Sequence, residues 1–242
     1  MKTMVYSLLL IFAVLSMCSY LQPAEAAPVG SPASLLKKGD WNFSLGGGYV
    51  YERPLETGGA KDYHANLTYG YHSRSYGITD RLSITGKIGG SYGYLYDETT
   101  VVGGTETSLS GGLALGIQLK GIVYEHKDSG WELDASGQFL YLRSHHKSSG
   151  KANADWYEGQ IASCVAKKIG SRFKPFVGLR YSTVNLDYED GLGNETSYDE
   201  DGGFGLVAGF DVYFGEARDI VINIESSFLT GIEFFAIGRY RF

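Results

Sequence analysis

Apolar and polar residues alternate with a period of two along most of this sequence, from Trp41 to the final residue. The final segment, residues 232–242, shows the pattern clearly: aliphatic and aromatic side chains occupy one face, and the other face includes charged Glu233, Arg239 and Arg241. Successive side chains of a β-strand point to opposite faces, so this segment is predicted to be an amphipathic strand. Ten such strands are predicted, beginning at or near Trp41, Tyr63, Leu82, Ser108, Trp131, Tyr157, Phe173, Phe204, Ile220 and Ile232.

The connections between these strands alternate in kind. Those after strands two, four, six and eight are short, whereas those after strands one, three, five and seven are longer and polar, and the longest is the acidic stretch 187–201. Short turns at one end and long loops at the other are typical of transmembrane barrels. The predicted fold is therefore all-β: a closed, antiparallel, up-and-down transmembrane β-barrel of about ten strands, with eight as the alternative.

The same alternation is compatible with a soluble β-sandwich or lipocalin-like barrel, in which the apolar face would line a core. The first segment favours the membrane, because an apolar run from Met4 to Met17 followed by small Ala24 and Ala26 predicts a secretory signal peptide. A lipoprotein site at Cys18 is the weaker alternative, since Met17 stands where a small residue is needed. The predicted organisation is a cleaved signal peptide at 1–26, a short periplasmic lead at 27–39 and the barrel at 40–242.

Composition adds three points. The 34 glycines and 19 tyrosines suit long, closely spaced strands with aromatic girdles. No apolar run of about eighteen or more residues follows the first segment, which argues against transmembrane helices. The formal net charge of −6 gives no support for nucleic-acid binding, and Cys164, once Cys18 is removed, has no partner for an internal disulfide.

Three segments carry a resemblance to a known class: residues 174–181 (KPFVGLRY), the turn 77–81 (GITDR) and the closing strand with its terminal Phe242. They resemble small bacterial outer-membrane β-barrels, the broad group of OmpA-like, OmpW-like and opacity-type proteins. The resemblance implies a monomer in the outer membrane, and the even strand number with short turns at one end predicts that both termini lie in the periplasm. It also implies contacts with membrane lipid and lipopolysaccharide, and recognition by the barrel-assembly machinery through Tyr240 and Phe242.

Some outer-membrane barrels are enzymes, and the sequence offers weak candidates. The resemblance to ten-stranded omptin proteases implies paired acidic residues with an Asp/His pair, and the nearest material is Asp187, Glu189 and Asp190 on one loop with His145 and His146 on another. The spacing does not match an Asp-x-His motif. The chain is therefore predicted not to be an enzyme.

Lipid A-modifying enzymes would need a His and a Ser that converge on the lipid-facing surface. His72 is predicted to point into the lumen and Ser73 outward, so the two diverge. His64 and His72 are both predicted inward, but at about 3.3 Å per residue they lie roughly 26 Å apart, beyond a shared metal ion. No metal and no cofactor is predicted.

The polar face of the strands predicts a charged lumen. Buried charges persist only when paired, so Lys87 and Lys120 are expected to pair with Glu132 and Asp134, and Arg180 and Arg239 with Asp211 and Glu225. The predicted function is an integral outer-membrane barrel with a structural or surface-interaction role and a plugged lumen; a narrow channel for small solutes is the alternative. The predicted lumen network consists of Lys87, Lys120, Glu132, Asp134, Glu158, Arg180, Asp211, Glu225, Glu233, Arg239 and Arg241.

Overall fold

The computed structural model describes residues 36–58, 60–97, 105–146, 153–189, 192–215, 219–228 and 232–241. These residues form ten strands: β1 (Trp41–Thr57), β2 (Ala60–Thr79), β3 (Leu82–Asp97), β4 (Thr105–His126), β5 (Trp131–His146), β6 (Asn153–Lys167), β7 (Phe173–Glu189), β8 (Glu195–Phe214), β9 (Ile220–Phe228) and β10 (Ile232–Arg241). No helix in the described residues is long and apolar enough to cross a membrane. The predicted signal peptide and Phe242 lie outside these ranges.

The strands close into an antiparallel barrel in which each strand pairs with its neighbours in sequence and β1 pairs with β10. The closing register runs from Asn42 opposite Arg241 to Tyr51 opposite Ile232. The last strand is thus hydrogen-bonded on one side to β9 and on the other to β1. The prediction of ten strands in an up-and-down barrel is confirmed, and the eight-stranded alternative is wrong.

The alternation along each strand separates an outer wall from a lumen. On β7, Leu179 is 59% exposed, whereas the next residue, Arg180, is 2% exposed. Strands β4, β6 and β8 repeat this arrangement, with Leu119, Ile161 and Phe204 exposed on the outer wall. The barrel is therefore apolar outside and polar inside over this region, which is the reverse of a soluble globular domain.

The prediction of which face of strand two points into the lumen is wrong: in β2 the two faces are the reverse of those expected. Tyr69 and Tyr71, expected on the outer wall, are buried in the lumen, and His72, expected inside, is exposed on the outer wall. Period two determines which residues share a face but not which face points inward. The neighbouring strand makes room for the rings: a Cβ added at Gly48 would lie 2.9 Å from the Tyr69 hydroxyl.

The prediction that the acidic stretch 187–201 is a loop is also wrong, because most of it is strand. β7 continues to Glu189 and β8 starts at Glu195, so the two form a tall hairpin. Polar side chains lace the hairpin together: the Ser197 hydroxyl donates to Asp187 Oδ1 at 2.7 Å, and the Asn185 amide donates to Asp199. Strands β9 and β10 are only 9 and 10 residues long, and above them β1 meets β8 directly at Glu56 and Asp199.

The residues just before β1 fold against the base of the barrel. Leu36 is buried, and the Gly39 amide donates to the Gly77 carbonyl at 2.8 Å while the Gly77 amide donates to the Asp40 carbonyl at 3.0 Å. Only glycine fits this approach, since a Cβ at Gly77 would lie 2.0 Å from the Lys37 carbonyl oxygen. These contacts hold residues 36–40 against the turn between β2 and β3.

Candidate functional site in the barrel lumen

The lumen has two layers of different chemistry. The upper layer, towards the tall hairpins, is apolar; its buried members are Leu55, Ala65, Leu67, Tyr69, Tyr71, Leu95, Ala114, Leu140, Leu142, Ala154, Trp156, Val184, Leu186, Tyr198, Phe235 and Ile237. The lower layer, towards the short turns, is lined by hydroxyls, amides and charges. These two layers are called the apolar layer and the polar layer below.

The apolar layer is packed nearly solid. The cavity between Leu67, Leu95, Trp156 and Leu186 measures only about 10 Å³, which is at the lower limit for one water molecule. Aromatic rings contribute much of the filling: Tyr63 meets Tyr198 edge-on with ring centroids 4.8 Å apart. Aliphatic and aromatic side chains thus fill the space at this cavity.

A buried arginine lies between the two layers. Arg53 is fully buried and donates from Nη1 to Glu158 Oε1 at 2.9 Å, from Nη2 to the Ser182 hydroxyl at 2.7 Å, and to Glu200. It thereby ties β1 to β6, β7 and β8 across the lumen. Charge-assisted bonds of this kind are the strong ones, and removing one partner leaves a buried charge uncompensated.

A chain of side-chain hydrogen bonds extends this contact into the polar layer. The Lys87 ammonium donates to Gln138 Oε1 at 2.7 Å, and the Gln138 amide donates to Gln160 Oε1 at 2.6 Å. The Gln160 amide then donates to Glu158 Oε1 at 2.6 Å, the same oxygen that accepts from Arg53. One connected network thus crosses the barrel from β3 to β1, and such networks stiffen a structure when their members are satisfied.

Sequence reasoning missed Arg53, since the predicted pattern ended at Tyr51. A register shift between Val50 and Arg53, where β1 pairs with β2, resets the alternation, so that Arg53 and Leu55 point inward. The signal that was available is a lone arginine beside Pro54 in a stretch that returns to period two. Its partner Glu158, 105 residues away, was among the predicted lumen charges.

Most of the predicted lumen charges do point inward, although not always to the expected partners. Lys120 Nζ lies 3.5 Å from Asp134 Oδ2, while Glu132 accepts from Lys174. Arg241 contacts Asp40 at the base of the barrel rather than an inward carboxylate. The side chain of Glu233 lies outside the described side chains. The inward-facing members of the predicted set are Lys87, Lys120, Glu132, Asp134, Glu158, Arg180, Asp211, Glu225 and Arg239.

Two rows of aromatic side chains border the outer wall. One row includes the pairs Tyr141–Tyr157 and Tyr181–Phe204, with ring centroids 5.2 and 5.0 Å apart. The other, near the short turns, includes the pairs Trp41–Tyr76 and Phe173–Phe210, 4.8 and 5.6 Å apart. On β4 to β8 the outward positions between the rows are almost all apolar. Beyond the upper row they turn polar, as at Arg143, Asp155 and Asp187.

The weak catalytic candidates lie on β5 and β7, with strand β6 between them. Asp187 accepts from Ser197, and His145 Nδ1 lies 2.7 Å from the Asn153 side-chain oxygen. Asp190 and the His146 side chain lie outside the described residues. His72 stacks on Phe43 on the outer wall, at a centroid distance of 5.6 Å, with Ser73 buried on the opposite face. No group of three or more His, Cys, Asp or Glu side chains in the described ranges is arranged to hold a metal ion.

These observations define the class of fold: a closed ten-stranded antiparallel barrel with an apolar, aromatic-bordered outer wall, as in small outer-membrane β-barrels. No protein-family model matches the chain, and no curated protein matches its sequence. Solved structures with a similar arrangement include the attachment invasion locus protein Ail of Yersinia pestis, at 13% identity and a TM-score of 0.42, covering 85% of this chain and 99% of Ail.

Two further solved structures are similar in the same way. OprG from Pseudomonas aeruginosa is 10% identical with a TM-score of 0.41, and the match covers 86% of this chain and 98% of OprG. The outer-membrane protease OmpT from Escherichia coli is 11% identical with a TM-score of 0.40, covering 88% of this chain and 100% of OmpT. The likeness is one of general barrel shape.

Proposed function

We propose that this chain is an integral outer-membrane protein whose lumen is plugged, and that it acts through its outer wall and tall hairpins rather than as a pore. The observation that carries the proposal is the apolar layer, which fills the lumen to a residual cavity of about 10 Å³. Arg53 and its three partners reinforce this closure directly below. A solute would have to displace both the layer and the buried ion network in order to pass.

The outer wall supports the membrane location. Large apolar side chains such as Leu45, Ile117, Ile161 and Leu179 are each about half exposed or more. Exposed to water, so continuous an apolar surface would drive aggregation, whereas lipid satisfies it. The two aromatic rows lie where the interfaces of a bilayer would be. Tyr240 points outward on the last strand, in keeping with the proposed role of that strand in recognition by the assembly machinery.

The tall hairpins support a surface role. β7 and β8 continue well past the upper aromatic row, and their outward positions carry Asp187, Ser197 and Asp199. We call the part of the β7–β8 hairpin from residue 185 to residue 199 the acidic blade. Side-chain hydrogen bonds between its two strands hold it in one shape. With the short turns in the periplasm, as proposed, the blade stands on the cell surface beside the phosphates of lipopolysaccharide, where divalent cations are available to bridge like charges.

Cysteine labelling on intact cells tests this orientation. Leu192, 89% exposed at the tip of the blade, is replaced in the variant Leu192→Cys, and Asp128 in an opposite turn is replaced in Asp128→Cys. The native Cys164 is buried and is not expected to react with the label. A membrane-impermeant maleimide is expected to label the first variant only. Labelling of Asp128→Cys alone would show that the barrel has the opposite orientation. Labelling of neither variant would show that neither end of the barrel is on the cell surface.

A further inference from the structure

A small cavity lies inside the polar layer and is lined by cations. It measures about 20 Å³, and its charged lining residues are Lys87, Lys120 and Arg239, from β3, β4 and β10. The remaining lining is mostly hydroxyl groups, with the Gln118 amide and the hydrocarbon of Ile237; none of it is a carboxylate. A space of this size holds one water molecule or one monatomic ion, but not a multi-atom anion such as sulfate.

Arg239 leaves donors unused at this cavity. Its Nε and Nη1 are buried and have no hydrogen-bond partner among the described residues. The Tyr71 hydroxyl, which also lines the cavity, is buried and unpartnered in the same way. A guanidinium is always charged, and although Asp211 acts on it electrostatically, buried N–H donors without a hydrogen-bond acceptor are unfavourable. The position therefore calls for an acceptor that the described side chains do not supply.

No carboxylate belongs to the cavity wall, although Glu225 acts electrostatically on Lys87 and Asp211 on Arg239. Glu132 accepts from Lys174, and Glu158 accepts from Arg53 and Gln160. Asp134 accepts the Cys164 amide at 3.0 Å and stands 3.5 Å from Lys120 Nζ, a long contact for an ion pair. Asp211 accepts from the Asn223 amide at 3.0 Å. The acidic groups balance the lumen as a whole but do not enter the cavity wall.

The hydroxyls of the wall bond to one another in pairs. Thr85 Oγ1 donates to Ser75 Oγ at 2.8 Å, and Ser73 Oγ donates to Ser44 Oγ at 3.2 Å. Each accepting hydroxyl keeps its own proton, so Ser75 and Ser44 have an O–H left to donate. The cavity wall thus offers the two Arg239 donors and several O–H groups, beside two lysines and without a carboxylate, which is the chemistry of an anion site.

We propose that this cavity binds a single monatomic anion, chloride under ordinary conditions. The anion accepts from Arg239 and from the hydroxyls, and lies within the field of Lys87 and Lys120. It thereby links the closing strand β10 to β3 and β4 on the far side of the lumen. Binding of a ligand to the folded state alone stabilises that state by mass action, so chloride is expected to stabilise the closed barrel.

Bromide, which has the charge of chloride and scatters anomalously, is the direct probe. Crystals of the whole barrel grown in sodium bromide are expected to show an anomalous peak in the cavity, within about 3.5 Å of Arg239 Nε, a normal contact for a large anion. A cavity that shows only water density, with no anomalous signal, would overturn the proposal. This experiment uses the unaltered protein and does not depend on whether a variant folds.

Thermal unfolding in detergent micelles gives the second readout. Replacing gluconate, which is too large for the cavity, by chloride at equal ionic strength is expected to raise the midpoint by about 3 °C in the natural sequence. The variant Arg239→Gln is expected to lose this shift. The control Arg172→Gln removes the same charge from an exposed turn and is expected to keep it. An equal shift in all three proteins would show a general salt effect and would refute the site.

Discussion

The apolar layer and the polar layer fill the same barrel by different means. Trp156 and Leu186 in the first are 2% exposed and leave about 10 Å³ between them and their neighbours. In the second, Lys87 and Lys120 surround about 20 Å³ of polar space. The first is packed by dispersion and shape, and the second is joined by hydrogen bonds and ion pairs. An inward-facing position in a barrel therefore need not be polar, since aromatic and aliphatic side chains pack inside this lumen as well.

The largest effect is expected where the two layers meet. The variant Arg53→Ala leaves Glu158 and Glu200 buried without their shared cation, which should lower the free energy of unfolding by about 4 kcal/mol. Urea unfolding in lipid vesicles, followed by tryptophan fluorescence, measures it. The matched control is Arg143→Ala, whose half-exposed side chain lies 3.7 Å from Asp155 and whose loss should change little. Equal stability of the two variants would mean that the buried network contributes nothing.

A smaller loss is expected from a void in the apolar layer. The variant Leu186→Ala removes buried hydrocarbon beside Trp156, and large-to-small changes in packed cores cost about 3 kcal/mol. The same urea titration applies, with Leu192→Ala as a control at a position that is 89% exposed. A loss below the noise at Leu186 would show that the layer is loosely filled, contrary to the plug.

A charge introduced on the outer wall tests whether lipid covers it. Ile161 is 63% exposed between the two aromatic rows, and the variant Ile161→Arg should cost about 2 kcal/mol if lipid covers this position. In water the same substitution at an exposed site would be close to neutral. Unfolding from vesicles, with Leu192→Arg at the tip of the hairpin as control, separates the two cases. A neutral result at Ile161 would contradict the membrane assignment of the wall.

The smallest effect is expected in the polar layer. The variant Ser73→Ala removes one of many hydroxyl contacts, the bond to Ser44 at 3.2 Å, and should lower the free energy of unfolding by about 1 kcal/mol. Its measured value is compared with that of Leu186→Ala under identical conditions. A larger loss at Ser73 than at Leu186 would reverse the ranking of the two layers.

The sequence predicted the strands well, but it did not predict the side-chain contacts that cross the lumen. Periodicity predicted the facing of residues such as Lys87, Arg180 and Ile161, because one side chain in two must point to each face. The predicted facing was wrong for β2, because tyrosine is common both in a lipid-facing girdle and in a packed interior. Tyr69 and Tyr71 therefore looked like wall residues and are lumen residues.

The remaining misses have local physical causes. The stretch 187–201 is polar and glycine-containing, which is typical of loops, yet its strands pair far beyond the aromatic row because the side chains bond to one another across the hairpin. Arg53 escaped because a register shift after Val50 interrupts the alternation. Its contacts with Glu158 and Glu200 join strands that are remote in sequence, and no local pattern encodes such a contact.

Single-channel conductance in a planar bilayer tests the plug most directly. The natural protein, inserted and voltage-clamped, is expected to give no steady ion steps if the apolar layer and Arg53 close the lumen as proposed. A variant combining Arg53→Ala with Leu186→Ala serves as the matched opened form and is expected to conduct. Steady steps from the natural protein would contradict the account and make the barrel a narrow channel.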